Sequence, residues 1–372
     1  MPLQLDDCNR IKGLHRELQA ISTLGNALLL IGFALLGLSH HWYQALLWLL
    51  PAGLLWRYVY HCASQQLHSN RTDTHSPLYS SLGWGNRATL VRGGLIALAG
   101  GFLLFDPTAT SVPWLPAASY SLAALLDRCD GFLARRCRQT TLLGSELDIR
   151  FDALGLVVAP LLAIVHGRLH ASYLLLSAAF YLYRWGLHRR QRLNLPLHPL
   201  PDNPLRRTLA GFQMGFVAVA LWPWLSEEMT HPASIAFMLP VLFGFAADWL
   251  VVCGTLPTQR YLGLAEFGER RFQPGLRVFA ALIGFAIVAG IIEAGVQTAF
   301  IALLSAMLLT GFAGRLAALA WLIYLGGTGE ASIQPLIKDA LIVANSWLLL
   351  LGTGHTSLWR CGDAWLQRYD GA

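Results

Sequence analysis

Four aspartates interrupt an otherwise apolar stretch: Asp127, Asp130, Asp148 and Asp152, within DRCDGFLARRCRQTTLLGSELDIRFD. On helices, Asp127 and Asp130 are i,i+3 and Asp148 and Asp152 are i,i+4, so each pair projects from one face of its own helix. Gly131 follows Asp127 by four residues and Gly144 precedes Asp148 by four. Each glycine thus shares a face with its pair, where a missing side chain lets a ligand approach the backbone. The short basic connection from 136 to 143 predicts antiparallel neighbouring helices, with the four carboxylates converging at the cytoplasmic edge of a bilayer. An Asp at the centre of a spanning helix costs about 2.5–3.5 kcal/mol, and unpaired neighbours repel one another. A hard divalent cation relieves both penalties. All-oxygen ligation suits Mg²⁺ or Mn²⁺, and the absence of a matching His or Cys argues against zinc. Two ions are compatible with four carboxylates. Metals held in this way polarise phosphoryl oxygens and neutralise a leaving group, and Arg135 beside them is a natural phosphate partner. Taken singly, any of these aspartates would as readily only cap a helix or pair with an arginine. The joint spacing of Asp127, Asp130, Gly131, Ala134, Arg135, Gly144, Asp148 and Asp152 is far more specific, recurring by chance about once in 10^10 starting points.

The elements that must position these residues are membrane helices. Of 372 residues, 55% are hydrophobic and 13% charged, and the mean hydropathy is +0.48. A soluble domain carries about 25% charged residues, so an ordinary cytosolic globular fold is excluded. Apolar windows fall near 20–38, 42–60, 88–105, 113–127, 149–166, 170–187, 209–225, 233–253, 276–292, 294–313, 315–327 and 335–353. They predict an all-α polytopic integral membrane protein with about twelve helices, the 315–327 piece being short for a full span. Arg10, Lys12 and Arg16 before the run from Ile21 to Leu38 imitate a signal peptide, but the run is too long and no small-residue cleavage site follows, so it reads as an uncleaved first span. Polar stretches at 63–85 and 255–275 divide the chain into an amino-terminal accessory segment of about two helices (1–80), a central six-helix part (81–256) and a carboxy-terminal bundle of about four (257–372). No internal repeat links them.

The net charge of +6 does not point to nucleic acid, because the basic residues lie in short loops. Arg128, Arg135, Arg136 and Arg138, then Arg189, Arg190, Arg192, Arg206 and Arg207, then Arg260, Arg270, Arg271 and Arg277 mark one set of connections as cytoplasmic. The loop from Phe105 to Trp114 and the stretch from Ser226 to Pro232 lack Arg and Lys, and face outward. Lysine occurs only at Lys12 and Lys338, a bias ascribed to genome composition. The six cysteines show no CxxC spacing and are expected as free thiols. His40, His41 and His198 read as solvated loop residues. Trp42, Trp48, Trp56, Trp222 and Trp224 lie near predicted helix ends, where interfacial belts form.

The eight-residue skeleton matches, at every position, the signature of the CDP-alcohol phosphotransferase family, D-x2-D-G-x2-A-R-x8-G-x3-D-x3-D. The resemblance covers about residues 81–256 and implies the family's six-helix membrane domain. It implies transfer of a substituted phosphate from a CDP-linked donor, usually CDP-diacylglycerol, to an alcohol with release of CMP, as in phospholipid biosynthesis. Carried over by position, it makes Asp127, Asp130 and Asp148 metal ligands for Mg²⁺ or Mn²⁺, and Asp152 the general base that also lies near the metals. It makes Gly131, Ala134, Arg135 and Gly144 the lining of the CDP site. Asn86, Thr89 and Arg92 resemble the start of the family's first helix, and Arg206, Arg207 and Thr208 resemble a basic-Thr element before its fifth. There Pro204 and Leu205 replace the usual glycine and lysine, and Gly211 the usual glutamine, which leaves the acceptor open. Arg184 is a phosphate ligand or a snorkelling boundary residue. Asp248 either supports the site from behind or pairs with a nearby arginine.

From about 270 onward the chain resembles a DoxX-type four-helix membrane unit, through GRLAALAW (Gly314 to Trp321), Lys338 and GTGHTSL (Gly352 to Leu358). Packing, dimerisation and substrate access are the roles open to this bundle, and Trp359 to Tyr369 reads as an amphipathic surface stretch. The expected partners are the CDP-linked lipid donor, the alcohol and membrane lipids, with no nucleic acid and a homodimer left open. The expected location is a bacterial inner (plasma) membrane with the site facing the cytoplasm. Two alternatives remain: a CDP-choline or CDP-ethanolamine phosphotransferase acting on diacylglycerol, and a transporter or scaffold carrying an inactive transferase domain.

Overall fold

The structure is a computed structural model that describes residues 2–105, 113–290, 296–327 and 333–359. Among these the chain is helical and no strand occurs. The helices are α1 (Pro2–Ser39), α2 (Trp42–Gln65), α3 (Gly83–Gly100), α4 (Leu115–Arg136), α5 (Leu142–Val165), α6 (Leu174–Arg192), α7 (Pro204–Ala220), α8 (Glu227–Val252), α9 (Thr258–Phe267), α10 (Gln273–Gly290), α11 (Val296–Thr310), α12 (Gly314–Gly327) and α13 (Pro335–Leu351). A π-helical turn, Gly268–Phe272, joins α9 to α10, so the two form one rod and the number of rods agrees with the number of apolar windows. Asp7–Ser39, Gly83–Leu104, Glu227–Val252 and Thr258–Gly290 are each long and apolar enough to cross a bilayer. The loop with Asp106 and Pro107 expected to face outward, Cys361 and most of the terminal stretch expected to be amphipathic lie outside the described residues. Cys8, Cys62, Cys129, Cys137 and Cys253 are free thiols, as expected.

The chain falls into two compact units, one of Met1–Gly167 with Val217–Trp224, the other of Arg168–Phe216 with Leu225–Ala372. In the first, α3 is the central rod, with α2, α4 and α5 packed along it and α1 against α2. Glycines allow this. A Cβ at Gly85 would stand 2.8 Å from that of Ala134 in α4, and one at Gly93 would stand 2.9 Å from Val59 in α2 and 3.1 Å from Phe151 in α5. Two tryptophans expected in interfacial belts fill this core instead. Trp48 and Trp56 are 2% and 7% exposed, the first against Gly32 and Gly101, the second against Gly25 and Gly94. Missing side chains open slots between helices, and an indole in such a slot buries more apolar surface than it would at the interface. Trp42 and Trp224 remain exposed.

In the second unit, α10–α13 enclose Trp321, Leu308, Ile301, Leu341 and Leu348. Arg277 of α10 is buried, and the GTGHTS segment after α13 closes around it: the guanidinium donates to Thr353 O (3.1 Å), Thr356 Oγ1 (3.0 Å) and Ser357 Oγ (2.7 Å). Lys338 pairs with Glu228 at 3.2 Å.

Candidate active site

The loop between the two aspartate helices is cut short by its end residues. α4 stops at Arg136, with Arg138 left-handed at φ 52°. α5 starts behind Thr141, whose hydroxyl accepts the Gly144 N–H at 3.0 Å, the usual side-chain cap for an unpaired first-turn donor. This sets the height of Asp148, one turn beyond Gly144.

The carboxylates gather as the spacing predicts. One oxygen from each of Asp127, Asp148 and Asp152 lies within 4.8 Å of the other two. Asp130 belongs to the same cluster but turns toward α3: it is buried, accepts the Thr89 hydroxyl at 3.0 Å and accepts the Gly131 N–H at 2.6 Å. The relation between the helices differs from the expectation. α4 and α5 are not close neighbours over their length; each packs on α3, and they approach one another where Tyr120 crosses Gly155. Gly85 and Gly93 let α3 come close to each of them, against Ala134 of α4 and Phe151 of α5.

Between the pairs stands Arg92 of α3, its side chain 1% exposed. Its guanidinium pairs with Asp127, lies 3.7 Å from Asp130, and reaches Asp148 at 2.9 Å and Asp152 at 3.3 Å. It also donates to the Asp148 carbonyl at 3.3 Å. In the sequence, Arg92 stands only within the resemblance to a helix start. The available signal was an arginine inside an apolar helix, which requires carboxylates from elsewhere. One guanidinium against four ionised carboxylates leaves the cluster formally negative by three. Asp127, Asp148 and Asp152 keep side-chain exposures of 24%, 47% and 46%, so oxygen lone pairs remain accessible on one side. The donor set therefore fits a hard divalent cation.

The other signature residues divide into two kinds. At Gly131 an added Cβ would meet little besides the Arg135 guanidinium, 3.3 Å away, and Arg135 is exposed; these two border the open side. Ala134 instead faces Gly85, and a side chain at Gly144 would strike Asn86 Oδ1 at 2.7 Å. Ala134 and Gly144 thus let α3 approach, rather than leaving backbone bare for a ligand. Asn86 is buried, donating to Asn70 Oδ1 (3.0 Å), Leu82 O (2.8 Å) and Thr141 Oγ1 (3.1 Å).

In the second unit, Arg206 pairs with Asp248 at 3.1 Å, and Asp248 also accepts from Tyr261 at 2.8 Å. Of the two roles open to Asp248, pairing with an arginine is the one observed. Arg184 is exposed, lying over the Phe180 ring at 5.9 Å.

Comparison of the whole chain with curated proteins and with solved structures finds no match. Residues 85–256 match the model of the CDP-alcohol phosphatidyltransferase family, whose members are membrane-embedded transferases of substituted phosphate groups. The match covers somewhat under half of the chain, and over that segment the chain is similar to a CDP-alcohol phosphatidyltransferase domain.

Proposed function

We propose that the chain transfers a phosphatidyl group from CDP-diacylglycerol to an alcohol and releases CMP, as a step of phospholipid biosynthesis. The observation that carries this reading is the meeting of carboxylate oxygens from Asp127, Asp148 and Asp152 within 4.8 Å, inside the segment that matches the family. Asp127, Asp130 and Asp148 hold Mg²⁺ or Mn²⁺, with Asp152 at the edge of the same cluster; Asp130 retains lone pairs beyond the hydrogen bonds it accepts. When bound, the cation supplies charge neutralisation to the pyrophosphate oxygens. Gly131 and Arg135 border the CDP moiety, and Ala134 and Gly144 support it through the helix approaches they permit. Asp152 accepts the acceptor's hydroxyl proton as the oxygen bonds to the phosphorus bearing the lipid, and the bond from that phosphorus to the CMP oxygen breaks. An alcohol is a weak nucleophile at neutral pH, and a positioned carboxylate contributes about 10²–10⁴-fold. The three-part division at 80 and 256 separates this domain from its accessory helices, and the site faces the cytoplasm of a bacterial inner membrane.

Detergent-solubilised protein supplied with Mn²⁺, CDP-diacylglycerol and a panel of alcohols is expected to form CMP only when a competent alcohol is present. CMP formed solely from CDP-choline or CDP-ethanolamine with diacylglycerol would overturn the donor. No CMP from any pair, together with no Mn²⁺ binding, would leave a scaffold or transporter as the better reading.

A further inference from the structure

We infer that the segment preceding the family-matched domain completes the active site, with Asn70 and Glu17 as positioning residues for the aspartate cluster; this rests on the transferase reading above. The loop between α2 and α3 is fastened to α3, to the start of α5 and to the connection between α4 and α5. Asn70 is wholly buried, and both ends of its amide are bonded: Nδ2 donates to Ser81 O at 2.9 Å and Oδ1 accepts from Asn86 at 3.0 Å. Asn86 passes the contact to Thr141, the cap of α5. The same loop accepts the Leu142 N–H on Arg71 O at 2.9 Å and the Gln139 amide on Ser81 O at 3.3 Å, so it also holds the connection between α4 and α5.

α1 secures the loop from the other side. Glu17 accepts the Leu82 N–H at 3.0 Å and the Arg87 guanidinium at 2.8 Å. It thereby satisfies the backbone donor at the cap of α3, a position that lacks a side-chain cap of its own, and adds negative charge where the helix dipole favours it. Arg10 donates to Leu78 O at 2.5 Å. The family match begins at residue 85, yet Asn70, Ser81 and Glu17 set the axial position of α3 and α5. Arg92 lies six residues beyond Asn86, and Asp148 four beyond Gly144, so a shift at this end moves the guanidinium and the carboxylates relative to each other.

The test uses the full-length chain carrying Asn70→Ala, Glu17→Ala or Glu17→Asp, with three readouts: Mn²⁺ affinity by electron paramagnetic resonance, thermal unfolding in detergent, and CMP formation split into kcat and donor KM. Asn70→Ala and Glu17→Ala are expected to weaken Mn²⁺ at least tenfold and to lower kcat at least tenfold with donor KM within about threefold. Glu17→Asp should recover most of both. Lowered unfolding temperature with unchanged Mn²⁺ affinity and kcat would overturn the inference, because the contacts would then be structural only. Wild-type values throughout would overturn it too. If wild-type protein releases no CMP from any donor, the transferase reading fails on its own, and the Mn²⁺ titrations still decide whether Asn70 and Glu17 position the cluster.

Discussion

Arg92 decides how four carboxylates survive side by side in a membrane helix bundle. Removing one partner of a buried ionic cluster costs about 3–5 kcal/mol, because the remaining charges lose their compensation. Arg92→Ala should therefore lower the unfolding temperature in metal-free detergent solution, and added Mn²⁺ should raise it more in the variant than in wild type. A variant as stable as wild type without metal would show that the guanidinium is not what balances the cluster. Asp152 and Asp148 are expected to separate in their effects. Asp152→Asn should reduce kcat by about 10²–10⁴-fold with Mn²⁺ affinity altered only a few-fold, whereas Asp148→Asn should weaken Mn²⁺ binding directly. Retained turnover in Asp152→Asn would remove it as the base. At this scale the aspartates were legible, since i,i+3 and i,i+4 spacing fixes a face whatever lies around it. Arg92 was not, because its partners stand 35 to 60 residues away along the chain and only the third helix brings them together.

Helix α3 acts as the spacer between the two aspartate helices, and Gly85 sets one of its two approaches. A valine there would drive its branch into Ala134, whose Cβ already lies 2.8 Å from where a Cβ at 85 would stand; overpacking of this kind costs about 1–3 kcal/mol. Gly85→Val is expected to lower the unfolding temperature and to weaken Mn²⁺ binding, by moving Asp127 and Asp130 away from Asp148 and Asp152. Gly53→Val in α2 serves as control, since a Cβ at Gly53 would meet nothing within 4 Å. Equal effects of the two substitutions would mean that valine in a helix, not displacement of α4, is responsible. The apolar windows anticipated nearly every helix, because a run of that length can satisfy its backbone in lipid only as a helix. Which rods touch did not follow. A short connection between α4 and α5 limits their separation at one end, and says nothing of a third helix inserted along the rest.

Composition alone separates this chain from soluble proteins, whereas packing details such as the buried Trp48 and Trp56 depend on glycines in other helices and are invisible to a linear reading. Orientation rests on loop charge and can be examined directly. Cys137 is exposed in the turn that carries Arg135, Arg136 and Arg138, the most basic connection near the site. Glu227 is exposed at the start of α8, in a stretch without Arg or Lys. By the positive-inside bias these two positions are expected on opposite sides of the membrane. With the other five cysteines changed to Ser, a membrane-impermeant maleimide should fail to label Cys137 in intact cells and should label it after permeabilisation. In a cysteine-free background, Glu227→Cys should react in intact cells. The reverse pattern would place the aspartate cluster on the outer face. CDP-linked donors are made from cytosolic CTP, so an outward-facing cluster would have no nucleotide supply, and the proposed reaction would fail together with the orientation.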